Sequence, residues 1–558
     1  MRSTTFPAIV ATCFALSGCV ATQTPAAGLD ADTAAWWEIT GDLSGDAMEG
    51  RDTGSPGHAR AVNYVIDRFG KAGLKPAGDA GGWTQTLPLK EVRVEKDGTS
   101  FEVLALQPGA TPTRLSFLHE ISVRATDELP ASIEGALSFR GYCSPAEMGE
   151  VLGRVVVCFG ARRSGLPGGA DRMRAVADAG AVGLINIDDP GFTVEPARWP
   201  DAYARSVSLR SAPSPAFANL PVMRLSPDGF ERMLQSAGHA TPSADILASG
   251  AASRPLAAFD LALRMQATFS LSRREYTSDN VLAMLPGSDP ALSQEVVIVS
   301  AHIDGYGFGE PVEGDALYNG AFDDAAYVAT IIRLAEQRAG QGFRRSVLFA
   351  VYTGEEKGLL GSNWLSRNLP VPKENLAAVI NLDQLRPLFP LKILTMHAIG
   401  DTTLKANVDR VAAGMGIEIR PDLEPERNLN QRTDHWPFLS MGVPATNFVF
   451  GFDPGTEAEA RYREWYKVRY HRPQDDMSQP LDFQAAADMN TFFYRLTGDV
   501  ANDPARPAFL PGSRTIRSKL LAGRIRRSVA GQTSPSGATT LRSFRRRPLY
   551  RVRDWGCR

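Results

Sequence analysis

Cysteine is scarce, with five in 558 residues, and the two that fall in the globular body, Cys143 and Cys158, lack the spacing of a metal site. A metal held by thiolate clusters is thereby excluded. An excess of charge of one sign is missing as well. Lys plus Arg number 60 against 62 Asp plus Glu, for a net charge of -2, so nothing demands a nucleic-acid partner. Beyond the N-terminus, no stretch approaches the roughly 20 apolar residues that a spanning helix needs. What remains is an ordinary globular composition, 43% hydrophobic and 22% charged. The length exceeds that of one domain, roughly 100–200 residues, so two or more cores are expected.

The N-terminus reads as a targeting segment, with Arg2 ahead of an apolar run from Phe6 to Leu16 that ends in Leu16-Ser17-Gly18-Cys19. A cysteine directly after small residues at that place resembles a bacterial lipoprotein box. The resemblance implies a signal peptide over 1–19, Cys19 as the lipidated first residue of the mature chain, and, with Val20 where inner-membrane proteins carry Asp, an anchor on the periplasmic face of the outer membrane. The plainer alternative is an ordinary cleaved signal and an exported protein. Residues 20–34, rich in Ala, Thr and Pro, read as a tether. In an exported chain Cys143 and Cys158 form either a disulfide or two buried thiols.

The body is expected to start near Trp36. Apolar residues at helical spacing predict a helix over Ala59 to Ala72, stopped by Gly73. From 120 to 258 the pattern turns to short β-rich runs such as Val155 to Phe159, interrupted by a helix near Arg172 to Ala179 and followed by the apolar run Val182 to Ile185. This segment resembles the protease-associated domain inserted in several exported peptidases; the alternative is an extension of the main sheet. From Asn280, strands at Val296–Ser300, Ser346–Tyr352 and Ala377–Leu382 alternate with a helix at Ala325–Ala339. That alternation predicts an α/β fold with a mostly parallel mixed sheet and helices on both faces. The expected division is 35–119 and 259–505 for the main domain around the 120–258 insert, then a tail over 506–558. From Pro511 to Arg558 the tail carries 13 Lys plus Arg against one acidic residue, Asp554. Such a block reads as a solvated, disordered extension, or as a binder of anionic envelope polymers.

Five groups of polar residues follow strands or precede helices. They are His302-Ile303-Asp304, Asn319-Gly320-Ala321-Phe322-Asp323-Asp324, Gly354-Glu355-Glu356, Asn381-Leu382-Asp383 and Tyr470-His471-Arg472-Pro473. The carboxyl edge of an open α/β sheet is where ligands bind. Each group has a plain structural reading: Asp323 and Asp324 as helix caps, Thr353 to Glu356 as a capping box, Asp383 as a turn residue. Together they suit a metallohydrolase, with Gly320 admitting close backbone approach, Asp304 orienting the His302 imidazole, and one of two adjacent glutamates serving as general base.

In this order the motifs resemble the co-catalytic zinc aminopeptidases related to glutamate carboxypeptidase, over about 280–480, with an echo in Glu49-Gly50-Arg51 and Gly73-Leu74-Lys75-Pro76. The resemblance implies a zinc-exopeptidase fold and two zinc ions per chain. Asp323 would bridge them, with His302 and Asp383 on one ion and Glu356 and His471 on the other. It makes Glu355 the general base, gives Tyr470 an oxyanion role, and leaves Asp434 a structural one. Two ions about 3.5–4 Å apart would share a hydroxide. Where the family commonly has Gly-Ala-Asp-Asp-Asn-Ala-Ser-Gly, this chain has Phe322 and Tyr327, and Gln384-Leu385-Arg386 after Asp383 is unusual. Arg386 is expected either near substrate or in a surface ion pair. The implied function is removal of N-terminal residues from peptides. A glutaminyl cyclase uses one zinc, and the second-ion pair His302 and Asp383 argues against it. A carboxypeptidase for acidic dipeptides would need a basic pocket that the sequence does not locate. A non-catalytic binding lipoprotein would be expected to have lost ligands that are all retained here.

Overall fold

Four buried apolar strands lie side by side and parallel in the centre of the molecule, in the order Ala445–Thr446, Leu376–Asn381, Val296–His302 and Ser346–Tyr352. The protein is described by a computed structural model over residues 29–513. The sheet continues antiparallel through the long strands Leu271–Leu285 and Thr84–Val94 to Arg205–Leu209. Alternation along Val296–His302 explains why these strands read as unbroken apolar runs, since both faces are covered. Val297, Val299 and Ala301 join a core formed with helices Ala31–Ser44, Pro56–Lys71, Ala326–Gln337 and Phe483–Asn502. Val296 and Ile298 face Leu365, Phe438 and Leu439 of Leu360–Arg367 and Trp436–Met441 on the other side.

The chain between the two long strands builds a second eight-stranded mixed sheet with its own core around Phe101, Leu137, Val157 and Met265. Its boundaries differ from the expected 120–258. The antiparallel pairing of Ser100–Ala105 with Phe259–Thr268 takes in chain on both sides of that range. Conversely, Arg205–Leu209, inside the range, pairs with Thr84–Val94 of the first sheet, where Val207 and Leu209 bury beside Leu87 and Leu89. The central run is strand Val155–Phe159, helix Gly169–Asp178, strand Gly183–Ile187, and Cys143 is bonded to Cys158 with Cα atoms 5.6 Å apart.

Two further boundaries move. The expected tether over 20–34 overlaps a helix beginning at Ala31, because Asp30 caps it by accepting from the Asp32 and Thr33 amides. The expected tail from 506 starts later, since the Ala508 amide donates to Thr403 Oγ1 and the Arg506 guanidinium donates to the Leu376 carbonyl. Cys19 with the signal peptide, and the basic stretch from 514 onward, lie outside the described residues.

Candidate active site

Three of the four parallel strands deliver polar side chains to one edge. His302 ends Val296–His302, Glu355 and Glu356 follow Ser346–Tyr352, and Asp383 follows Leu376–Asn381. Asp323 and Asp324 do not cap the next helix. They sit in a π turn over Ala321–Ala325 ahead of Ala326–Gln337, without a capping hydrogen bond. The capping-box reading of Thr353 to Glu356 fails as well, because the following helix begins at Leu360 and the Thr353 hydroxyl pairs with Ser278 Oγ at 2.6 Å. Gly320, at φ +63°, is where the chain needs glycine: a Cβ there would meet the Asp323 carbonyl oxygen at 2.4 Å.

The result is two groups of potential ligands that share Asp323. In one, His302 Nε2 lies 3.4 Å from Asp323 Oδ1, with Asp324 and Asp383 completing the group. In the other, His471 Nε2 lies 3.4 Å from Asp323 Oδ2 and 3.2 Å from Glu356 Oε2. The two oxygens of one carboxylate thus face two imidazoles. Asp324, which the sequence offered only as a cap, joins the first group, and its Oδ2 accepts from the His302 amide at 3.0 Å.

The imidazoles are oriented from behind. His302 Nδ1 stands 3.1 Å from the Asp304 carbonyl oxygen and 3.7 Å from the Asp304 carboxylate, so the main chain, not the expected carboxylate, makes the hydrogen bond that leaves Nε2 facing the site. The Asp304 carboxylate instead accepts from the Glu355 amide and the Thr53 hydroxyl, both at 3.0 Å. On the other side Tyr306, missed in the sequence, places its hydroxyl 3.0 Å from His471 Nδ1. Arg51 is fully buried and donates to the carbonyls of Leu43, Ile303, Asn319 and Gly320. It thereby fastens the His302 and Asp323 loops together, which gives the Glu49-Gly50-Arg51 echo a physical role.

Electrostatics follow from burial of so many acids. Burial, reinforced by Asp383 and Glu356, pushes the Glu355 carboxyl well above its ordinary range despite His302. Burial, and Asp323 beside it, push Asp383 up to about 6. Burial works against Asp323 too, but the His302 and His471 imidazoles hold it well below. Both imidazoles are raised in turn: burial opposes their charge, and the carboxylates around them outweigh it. Among the described residues His302 Nε2, Asp323 Oδ2, Glu356 Oε1 and both Asp383 oxygens are buried without a hydrogen-bond partner. Converging unpaired donors of this kind fit bound cations, and the mixed imidazole and carboxylate set suits zinc.

Tyr470 is 4% exposed, lies against His471 with ring centres 3.8 Å apart and planes tilted by 37°, and lines a cleft of about 340 Å³ with Glu355 and Glu356. Asp434 is buried against the Ser362 hydroxyl and does not line that cleft, although its carboxyl lies near enough to His302 and Asp383 to feel their charge. A larger cleft of about 780 Å³ opens beside His471 and Tyr306 toward the second sheet. Its walls include Arg162, Arg198, Arg427 and Arg432, none of which the sequence singled out. Glu195 binds Arg432 through two contacts, at 2.7 and 3.0 Å, and Arg198 lies over the Tyr470 ring at 4.3 Å.

A mixed sheet that gathers imidazoles and carboxylates at the carboxyl edge of its parallel strands defines the zinc-exopeptidase class of fold. Residues 280–497 match the model of peptidase family M28. It is 26% identical over 254 residues to leupeptin-inactivating enzyme 1 of Streptomyces exfoliatus, a match covering 43% of this chain. The match takes in 54% of that enzyme, so the chain spans about half the length of the relative. An aminopeptidase from Aneurinibacillus sp. strain AM-1 has the same fold, with a TM-score of 0.56 at 16% identity, over 86% of this chain and 96% of that one. A zinc aminopeptidase from Bacillus subtilis superposes at a TM-score of 0.52 and 14% identity, covering 85% and 96% respectively.

Proposed function

We propose that the protein is an exported, zinc-dependent aminopeptidase that removes N-terminal residues from peptides, with two zinc ions held on either side of Asp323. The observation that carries this reading is the division of one carboxylate between two ligand groups, His302 with Asp383 and Glu356 with His471. Zinc, when bound, polarises the scissile carbonyl and activates the attacking water. Glu355, held by its amide on Asp304, accepts the proton of that water and delivers it to the leaving amine; its raised pKa suits a group that must both take and give a proton. Tyr470, whose hydroxyl burial keeps protonated, donates to the oxygen on which charge develops. Export to the cell envelope with an N-terminal lipid on Cys19 is supported by the sequence of the first 20 residues, and the Cys143–Cys158 bond suits an oxidising compartment. The strand, helix and strand from Val155 to Ile187 support reading the second sheet as a protease-associated type of domain.

The test is hydrolysis of aminoacyl chromogenic amides by protein lacking residues 1–19, before and after chelation and zinc restoration. Activity should vanish with chelator and return with zinc, and Glu355→Gln should keep its zinc while losing about 10²–10⁴-fold in turnover. Full activity in that variant, or activity indifferent to chelator, overturns the reading. The alternative, a carboxypeptidase for substrates bearing a free carboxylate, draws its support from the arginines of the larger cleft, which share its wall with Asp188, Asp189, Glu195, Asp201 and Glu426. Dipeptides cleaved much faster than their C-terminal amides would select it.

A further inference from the structure

Arg386 lies in neither of the places expected for it. It is fully buried directly behind Asp323, with Nη2 3.7 Å from Asp323 Oδ2. Its Nη1 donates to the Leu385 carbonyl at 2.9 Å and to the Tyr327 hydroxyl at 3.2 Å, while Nε and Nη2 have no hydrogen-bond partner among the described residues. The guanidinium sits 4.3 Å over the Trp465 ring and 5.9 Å from the rings of Tyr466 and Tyr470. Two departures from the family motif therefore meet: Tyr327, standing where glycine is common, forms part of the cage that holds Arg386.

A guanidinium keeps its charge under all ordinary conditions, and burying one is costly unless something compensates. Faces of aromatic rings offset part of that cost. Asp475 and Asp383 lie within reach of its charge, but Asp323 is the carboxylate within ion-pair distance, and that contact is not symmetric. Arg386 approaches Oδ2, the oxygen that faces His471 at 3.4 Å, whereas Oδ1 faces His302. An ion on the His471 side must draw on an oxygen whose charge is already shared with a fixed cation, and it must tolerate a like charge nearby.

We propose that Arg386 is a positioning residue that holds the Asp323 carboxylate and makes the Glu356 and His471 half of the centre the weaker, more exchangeable of two metal sites. This rests on the two-ion reading of the cluster. In the absence of metal Arg386 compensates the crowded carboxylates, and in its presence it sets the difference in affinity between the halves.

The test is calorimetric titration of chelator-stripped protein with zinc, a readout independent of turnover. Wild-type protein should bind in two resolved steps. Arg386→Met should tighten the weaker step by tenfold or more, move the tighter step less than threefold, and lower the thermal stability of the metal-free form. A purely structural role for Arg386 predicts instead that both steps weaken together or that neither moves, and either result overturns the proposal. Should Arg386→Met fail to fold, the chain with Arg386 intact still decides the matter. His471→Ala should then abolish the weaker step and spare the tighter, and His302→Ala should do the reverse; the opposite pattern overturns it. Two equal steps in wild-type protein refute this proposal and leave the two-ion reading standing, whereas no zinc binding at all refutes both.

Discussion

His302, Asp323, Glu356, Asp383 and His471 stood out in the sequence because each sits in a short motif beside a strand or helix end, and the structure gathers all five into two ligand groups that share Asp323. Residues that act from behind did not. Tyr306 and Arg198 carry no motif of their own, Arg51 has only the faint echo Glu49-Gly50-Arg51, and the positions of all three depend on packing between segments far apart in the chain. The same side chains predict how the metal-free protein responds to pH. The folded pKa values of His302 and His471 are raised, and burial pushes Asp434 and Asp475 up to about 7. A group whose pKa is raised by folding stabilises the fold while protonated, and that contribution is lost as pH climbs through the folded value. His397, which burial lowers to about 4, acts with the opposite sign, but its effect is complete by about pH 6.5. Above that pH the metal-free protein should lose stability as pH rises. Zinc affinity should increase over the same range, because protons compete for the imidazoles. Urea unfolding of stripped protein at pH 6.5 and 8 checks the first point; stability that holds or grows would contradict the assignment.

At the scale of elements, the parallel strands were readable from their unbroken apolar runs, and their observed ends lie within a residue or two of the sequence reading. What periodicity did not convey was partnership across the second sheet. Ser100–Ala105 and Phe259–Thr268 are separated by more than 150 residues, and nothing local announces that they pair. The loops at the active edge likewise depend on a distant anchor. Arg51 bonds four carbonyls from three segments, and they would be left buried and without partners in Arg51→Ala. The expected cost is on the order of 3 kcal/mol or more, since each unsatisfied buried acceptor costs roughly 1–3 kcal/mol. Chemical denaturation measures it. Zinc affinity should fall as well, because Arg51 spans the loops that carry His302 and Asp323.

For the whole molecule, the question is how two sheets with separate cores behave as one body. They are joined by more than a hinge. Lys357, next to Glu355 and Glu356, is buried with its ammonium 2.5 Å from the Tyr203 hydroxyl and 3.5 Å from Asp52 Oδ1. Arg205 pairs with Glu91 at 3.1 Å and also with Asp52. The strand Arg205–Leu209 begins at that arginine and is stitched along Thr84–Val94. Separating the sheets would break a backbone ladder and leave buried charges without partners. Differential scanning calorimetry of the metal-free protein should therefore give one endotherm rather than two, with calorimetric and van't Hoff enthalpies in agreement. Two resolved transitions would show that the ladder does not couple the cores. The consequence for a substrate is mechanical. If the protein acts on peptides as proposed, a cleft walled by two sheets coupled in this way would have a set bore, so that a frayed peptide end would enter it while the closed loops of a folded protein would be turned away at the rim.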